Sequence, residues 1–327
     1  MMVFNIMSIL WVEKYRPINL NEISSQEHII NSLKKTLFNK NIPHLLFFGP
    51  AGCGKTSTII ALAKELFKNQ YSNRVIELNA SDERGINVVR EKIKIYAKQS
   101  ITDKDKDNIP PWKLIILDEA DTMTSDSQCA LRRIMEEYSK ITRFCIIGNY
   151  CNKIIDPIVS RCALFRFKPI NQEHIIKKLK YICNEEKFNI SDEILNKIIK
   201  ISRGDLRKAI NLLQKYFNMY QNKFNSSLLD ELSGFIPQKT FNILIENIYK
   251  KDNKQVDNII NKIILDGYSL VLQILLFHNY ILTTDKLSTV QKSNIMIKIS
   301  EIDQNLIEGC DEYILFFNLV YFIMINI

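Results

Sequence analysis

The chain has 327 residues, a formal net charge of +8, 46% hydrophobic and 24% charged side chains, a globular composition too long for one core and suited to two or three domains. Seven cysteines without a C-x-x-C pair and only four histidines argue against a zinc site or disulfide framework and for a reducing compartment. The positive balance permits a polyanionic partner without demanding one. Much of the excess is Lys in a chain also heavy in Asn and Ile, so individual Arg positions carry more weight than the total.

The opening Met1–Leu10 is apolar but lacks a basic flank and runs straight into Trp11-Val12-Glu13-Lys14-Tyr15-Arg16, so no signal peptide is expected. His44-Leu45-Leu46-Phe47-Phe48 reads as a buried strand. Gly49-Pro50-Ala51-Gly52-Cys53-Gly54-Lys55-Thr56 then fits G-x-x-x-x-G-K-[ST] without a mismatch. Ser57 to Phe67 follows with Ile59, Ile60, Ala63, Leu66 and Phe67 at helical spacing. In this strand–loop–helix setting the glycines let backbone N–H groups turn toward phosphate oxygens, and the helix N-terminus adds its dipole. Lys55 is then placed to reach the β- and γ-phosphates of a nucleoside triphosphate, and the Thr56 hydroxyl to hold Mg²⁺.

Further strands are expected at 74–79, 114–118, 143–148 and 163–167, alternating with amphipathic helices, which implies a parallel sheet with helices on both faces. The charged, Pro-terminated stretch 101–111 reads as a surface loop. The third strand delivers Asp118-Glu119-Ala120-Asp121 at its carboxyl end, the carboxylate partner of a P-loop: Asp118 for Mg²⁺, Glu119 as the base that orients water. These letters also spell the motif of DEAD-box helicases, but those close two RecA-like domains around ATP, and here the second half is helical. Asn149 ends the fourth strand, either turning it or lying beside the γ-phosphate. Arg161 sits in a connecting loop, where an Arg is usually only solvated surface. Residues 86–97 place Ile86, Val89, Ile93 and Tyr96 on one helical face, with Arg90, Lys94 and Lys98 on another and Arg84 just before. Such a stripe is either a solvated face or a phosphate-binding one. The helix 127–138, with Arg132 and Arg133 beside Leu131, Ile134 and Met135, is a candidate interface.

After Pro169 only helical patterns remain. Residues 172–184 and 192–201 are amphipathic, and a third helix begins near Gly204-Asp205, carrying Arg207 where it could fold back over the triphosphate. A polar stretch at 221–227 and the Gly234/Pro237 pair mark a further boundary. The apolar Tyr313–Ile327 is short and broken by Asn318 and Asn326, which fits a buried terminal helix better than a membrane span. The expected organisation is an α/β nucleotide-binding domain at 1–168, a helical lid at 169–232 and an all-α domain at 233–327.

Taken in order, Trp11 to Pro17, the P-loop, Leu78-Asn79-Ala80-Ser81-Asp82-Glu83-Arg84-Gly85-Ile86, Asp118-Glu119-Ala120-Asp121, Ser160-Arg161-Cys162 and Gly204-Asp205-Leu206-Arg207 closely resemble a small subunit of replication factor C, the sliding-clamp loader of the AAA+ class. Pro110-Pro111-Trp112, Arg143-Phe144-Cys145-Ile146 and Ile154-Ile155-Asp156-Pro157 look most like the eukaryotic small subunit usually numbered four in animals. The resemblance implies an AAA+ P-loop sheet, a lid and a helical collar that oligomerises, within a heteropentamer of replication factor C subunits. It implies ATP hydrolysis that loads the PCNA clamp onto primer-template DNA, in the nucleus. It assigns the γ-phosphate sensor to Asn149, the lid sensor to Arg207, and to Arg161 an arginine finger serving the neighbouring subunit's ATP. Val12, Arg16 and Pro17 would close over the adenine, and Asn79 would hold Glu119 in an inactive pose until DNA binds. Arg84, Arg90 and Lys94 would line the DNA path. Ala51 and Cys53 replace the Pro and Thr usual in the family's P-loop, and Cys53 is expected to make the site thiol-sensitive. The rivals are a branch-migration motor of the same class, with a winged-helix C-terminal domain, and a subunit that binds ATP only to brace its neighbours.

Overall fold

The computed structural model describes residues 10–327 apart from 24, 40, 81–85, 100–108, 221–228 and 230–231. Arg84, and most of the surface loop expected over 101–111, lie outside the described residues. Five parallel strands form one sheet: β1 His44–Phe48, β2 Val75–Asn79, β3 Lys113–Asp118, β4 Thr142–Gly148 and β5 Cys162–Arg166, in the order β2-β3-β4-β1-β5. Each expected strand is present, with its start shifted by at most one residue.

The central strands read as unbroken apolar runs because both faces are covered. Alternate side chains enter two different cores. Leu45 and Phe47 of β1, Leu114 and Ile116 of β3, and Cys145 and Ile147 of β4 pack with Ile59, Leu62 and Leu66 of α3 (Lys55–Phe67). Leu46, Ile115, Leu117, Phe144 and Ile146 pack on the opposite face with Ile93 and Ala97 of α5 (Ile86–Lys98) and with Leu131, Ile134 and Met135 of α6 (Ser125–Glu137). The apolar residues of α6 are 2%, 6% and 1% exposed and cover the sheet, so the candidate interface on this helix is left with its exposed side, which carries Arg133. Among the shorter helices, α1 is Trp11–Lys14, α4 Tyr71–Arg74 and α7 Asp156–Val159, and the longer α2 spans Glu27–Asn39.

The amino-terminal ends of β1 and β4 are joined through His44 and Arg143. Arg143 Nε donates to the Ile42 carbonyl at 2.6 Å, and His44 Nδ1 accepts from Phe144 N–H at 3.2 Å. Burial, with the Arg143 charge adding to it, pushes the His44 imidazole down to about 4. Above the ordinary value of 6.5 both folded and unfolded chains hold a neutral ring. Below it the unfolded chain takes up a proton that the folded chain refuses, so stability falls as pH drops from 6.5 toward 4. Urea unfolding at pH 7 and pH 5 should therefore show a smaller pH dependence for His44→Gln than for the wild type. An identical dependence would contradict this.

The chain divides into two compact units, residues 1–189 with 198–214, and residues 190–197 with 215–327. In the first, α8 (Gln172–Glu185) buries Ile175, Leu179, Ile182 and Cys183 along one stripe. Two further helices follow, α9 (Asp192–Ser202) and α10 (Leu206–Tyr220). The second unit contains α11 (Gln238–Lys250), α12 (Asn253–Leu265), α13 (Leu270–Thr283), α14 (Thr289–Ile307) and α15 (Glu312–Asn326). Its core draws on every one of them, including Phe241, Ile260, Phe277, Ile295, Phe316 and Leu319. At its start Gln273 accepts from Ile236 N–H and donates to the Gly234 carbonyl, at 3.0 and 2.9 Å. Helix α14 opens on a reciprocal cap between Ser288 and Gln291. The terminal helix α15 buries Leu315, Leu319, Val320 and Ile323, and no helix of the described residues is long and apolar enough to cross a membrane.

Candidate active site

Strand register decides what meets at the carboxyl edge of the sheet. Phe48 of β1 pairs with Gly148 of β4, and Asn79 of β2 pairs with Asp118 of β3. The loop after β1, the acidic end of β3 and Asn149 therefore converge at one edge, the place where parallel α/β sheets bind ligands. Gly52 and Gly54 hold φ of 68° and 94°, a region that side chains disfavour. Gly54 ends the turn as the N-cap of α3, its carbonyl accepting from Thr58 N–H at 2.9 Å. A β-carbon at Gly52 would collide with the Asp205 carboxylate of the first unit's lid.

Lys55 is 8% exposed. Its ammonium donates to the carbonyls of Gly49 and Pro50 at 2.7 and 2.8 Å and to Asn149 Oδ1 at 3.0 Å. Burial lowers its pKa, opposed by the charge of Asp118. The Thr56 hydroxyl donates to Asp118 Oδ2 at 2.7 Å. A hydroxyl and a half-buried carboxylate so close together form the oxygen donor set that a hard divalent cation takes, and they fit Mg²⁺. Glu119 is exposed, and its backbone is left-handed with φ of 53°. Its N–H donates to Asp118 Oδ1 at 2.9 Å.

A cavity runs from the P-loop to the N-terminal segment. It is lined by Ala51, Gly52, Cys53, Gly54, Lys55, Thr56 and Ser57, by Asp118, Glu119 and Asn149, by Arg207, and at the far end by Val12, Tyr15, Arg16, Pro17, Ile23 and Ile210. A polyanion-cradling loop at one end and, at the other, a slot of apolar side chains edged by Arg16, Glu22 and Lys178 suit a nucleotide. The N-terminal segment is tied to later helices: the Trp11 backbone N–H donates to Gln214 Oε1 at 2.9 Å, and Tyr15 hydroxyl and Lys14 ammonium both donate to Glu186 Oε1, at 2.7 and 2.8 Å.

Most sequence-predicted residues thus come together. Gly49 and Pro50 contribute through their carbonyls to Lys55. Asn79 lies beside Asp118 at the sheet edge, and Ala80 N–H binds the Asp118 carbonyl at 2.9 Å. Arg161 is not brought to the cavity; its guanidinium pairs instead with Glu136 of α6 at 2.5 Å. Lys94 is an exposed residue of α5, away from the cavity lining, and Arg90 belongs to the same helix. The thiol sensitivity expected of Cys53 is corrected: the side chain is 1% exposed, donates to the Pro50 carbonyl, and burial pushes its thiol up, away from the reactive thiolate.

Sequence reasoning missed Asp121 and Asp205. Asp121 Oδ2 accepts from Asn149 N–H at 3.2 Å and so ties the end of β4 to the end of β3. Asp205 Oδ1 accepts from Lys208 N–H at 3.1 Å, capping α10 while its carboxylate lies against Gly52. A Gly-Asp step before a helical run is a cap signal; nothing local pointed to its place under the P-loop.

This sheet order, phosphate loop, acidic strand end and helical lid define a P-loop ATPase domain of the AAA type. The model of the AAA family, ATPases associated with various cellular activities, matches residues 45–170. The RCF1/5-like AAA+ ATPase lid domain matches residues 177–215, and the replication factor C C-terminal domain matches residues 236–321. Over 93% of its length the chain is 45% identical to replication factor C subunit 2 of Schizosaccharomyces pombe and 42% identical to human replication factor C subunit 4, covering 91% and 85% of those chains. The chain belongs to the replication factor C small-subunit family, a clamp-loader family of DNA replication. Among solved structures it is similar to the Thermotoga maritima RuvB Holliday junction branch migration motor, at a TM-score of 0.52 and 17% identity over 71% of this chain and 79% of that one. That likeness is one of fold alone.

Proposed function

We propose that the chain binds ATP with Mg²⁺ and hydrolyses it as one subunit of a heteropentameric clamp loader, which sets the PCNA ring on primer-template DNA in the nucleus. The observation that carries this reading is the division of labour among its arginines. Arg207 lines the chain's own cavity, whereas Arg161 is paired outside it, as a residue serving a neighbour would be.

In this reading Lys55 leaves its loop carbonyls for the β- and γ-phosphates, while the loop from Gly49 to Ser57, Pro50 excepted, presents backbone N–H groups to them. Thr56 and Asp118 hold magnesium, which when bound neutralises charge between the phosphates. Glu119 accepts the proton of the attacking water. Asn149, fixed through its backbone by Asp121, reports the γ-phosphate, and Arg207 approaches from the lid. Val12, Arg16 and Pro17 close over the adenine. Asn79, paired in register with Asp118, withholds Glu119 until DNA enters. Domains at 1–168, 169–232 and 233–327 divide into catalysis, lid and collar.

The DNA contact falls to Arg84, Arg90 and Lys94. No aromatic residue interleaves with these cations, so the contact is with phosphates and independent of sequence. The complex of this chain with its sister subunits should turn over ATP faster when clamp and primed DNA are both present. Charge reversal at Arg90 and Lys94 should weaken DNA binding and flatten its dependence on salt, by about one unit of log–log slope for each phosphate no longer neutralised. Turnover indifferent to clamp and DNA would overturn the function, and an unchanged slope would overturn the DNA-contact assignment.

A further inference from the structure

The reading of Arg161 as a residue lent to a neighbouring subunit raises the question of what aims it. Arg161 follows α7, and its Nη1 donates to the Pro157 carbonyl of that helix at 2.7 Å. Its Nη2 meets Glu136 Oε1 at 2.5 Å. Glu136 belongs to α6, which is anchored on the sheet by the buried Ile134 and Met135. The guanidinium is therefore gripped by two separate elements of the nucleotide-binding domain. Arg132 Nε stands 3.9 Å from the same oxygen, beyond hydrogen-bond range, so the carboxylate is engaged by Arg161.

The side chains of the pair are 39% and 43% exposed. Such a surface bridge adds little to folding, too little to make stability its main effect. Its effect on the arginine is larger. A long, rotamer-rich side chain is held in one direction before any phosphate arrives. Ordering completed in advance need not be supplied in the transition state. A guanidinium has more donors than these two contacts use, and the others remain for a phosphate oxygen.

We propose, resting on the finger reading of Arg161, that Glu136 is the residue that positions it for the neighbour's triphosphate. Glu136 touches no reacting atom; it acts through Arg161 only. The test uses the assembled complex with clamp and primed DNA, with the P-loop lysines of the other sites replaced so that only the site receiving Arg161 turns over. Glu136→Ala should lower kcat there between about ten- and a hundredfold, the scale of a misplaced catalytic group. KM for ATP, pentamer assembly and melting temperature should stay unchanged. Glu136→Gln, whose amide oxygen still accepts a hydrogen bond, should fall between Glu136→Ala and the wild type. Both variants turning over like the wild type while Arg161→Ala is inactive would overturn the positioning role and leave the finger standing. A loss confined to KM or to assembly would overturn it as well, since it would mark a merely structural contact. Normal turnover by Arg161→Ala would bring down both readings.

Discussion

Replacing Arg161 with Ala will leave this subunit's own affinity for ATP nearly unchanged and reduce hydrolysis at the adjoining subunit's site by about 10³–10⁵-fold, the range an arginine finger supplies. The expectation follows from where the side chain stands. Arg161 is absent from the lining of its own chain's cavity, which runs from Val12 to Arg207. Its removal frees Glu136 and the Pro157 carbonyl, neither of which touches the P-loop. The exposed ion pair adds little to stability, so the variant should fold and assemble. Equilibrium binding of ATP by the variant subunit, set beside single-site turnover in the complex, separates the two effects. A large loss of ATP binding by the variant alone would show that Arg161 serves its own pocket.

Glu119→Gln should retain nucleotide and lose turnover by roughly 10²–10⁴-fold, the contribution of a general base. The amide keeps the shape and the backbone hydrogen bond to Asp118 Oδ1 but cannot take up a proton. The position carries a second signature. Its φ of 53° is a conformation that costs an L-residue roughly 1–2 kcal/mol, kept at a residue that lines the cavity. Glu119→Gly should therefore raise the unfolding free energy by about 1 kcal/mol while leaving the site inactive. Stability gained together with activity lost is the outcome expected of strain kept for function. Hydrolysis by Glu119→Gln at the wild-type rate would remove this residue from the chemistry.

The sheet was legible because its strands are short apolar runs bounded by turns, and because a phosphate loop has few other settings. Lys55 and Thr56 could be named from the phosphate-loop motif, Asp118 and Asn149 from their places at strand ends, and the register brings them together. What stayed hidden depends on contacts far apart in sequence. Leu131, Ile134 and Met135 have the pattern of any amphipathic helix, and only the fold shows that the sheet covers them. Cys53 looked reactive by identity, whereas its burial decides the matter. Asp205 lies against a glycine 153 positions earlier (205 − 52), and Glu136 meets Arg161 across 25 positions (161 − 136); neither separation leaves a periodic trace. The lid boundary was equally hard to read, because α9 falls across the division between the two units.

This chain's nucleotide site is expected to need a neighbour's arginine to turn over, and steady-state ATP hydrolysis by the purified chain, alone and then joined to its sister subunits at saturating ATP, decides whether it does. Turnover near background is expected for the lone chain, with ATP bound, and a rise of several orders of magnitude on assembly with clamp and primed DNA. Full-speed hydrolysis by the solitary subunit would show that the site is complete without a neighbour.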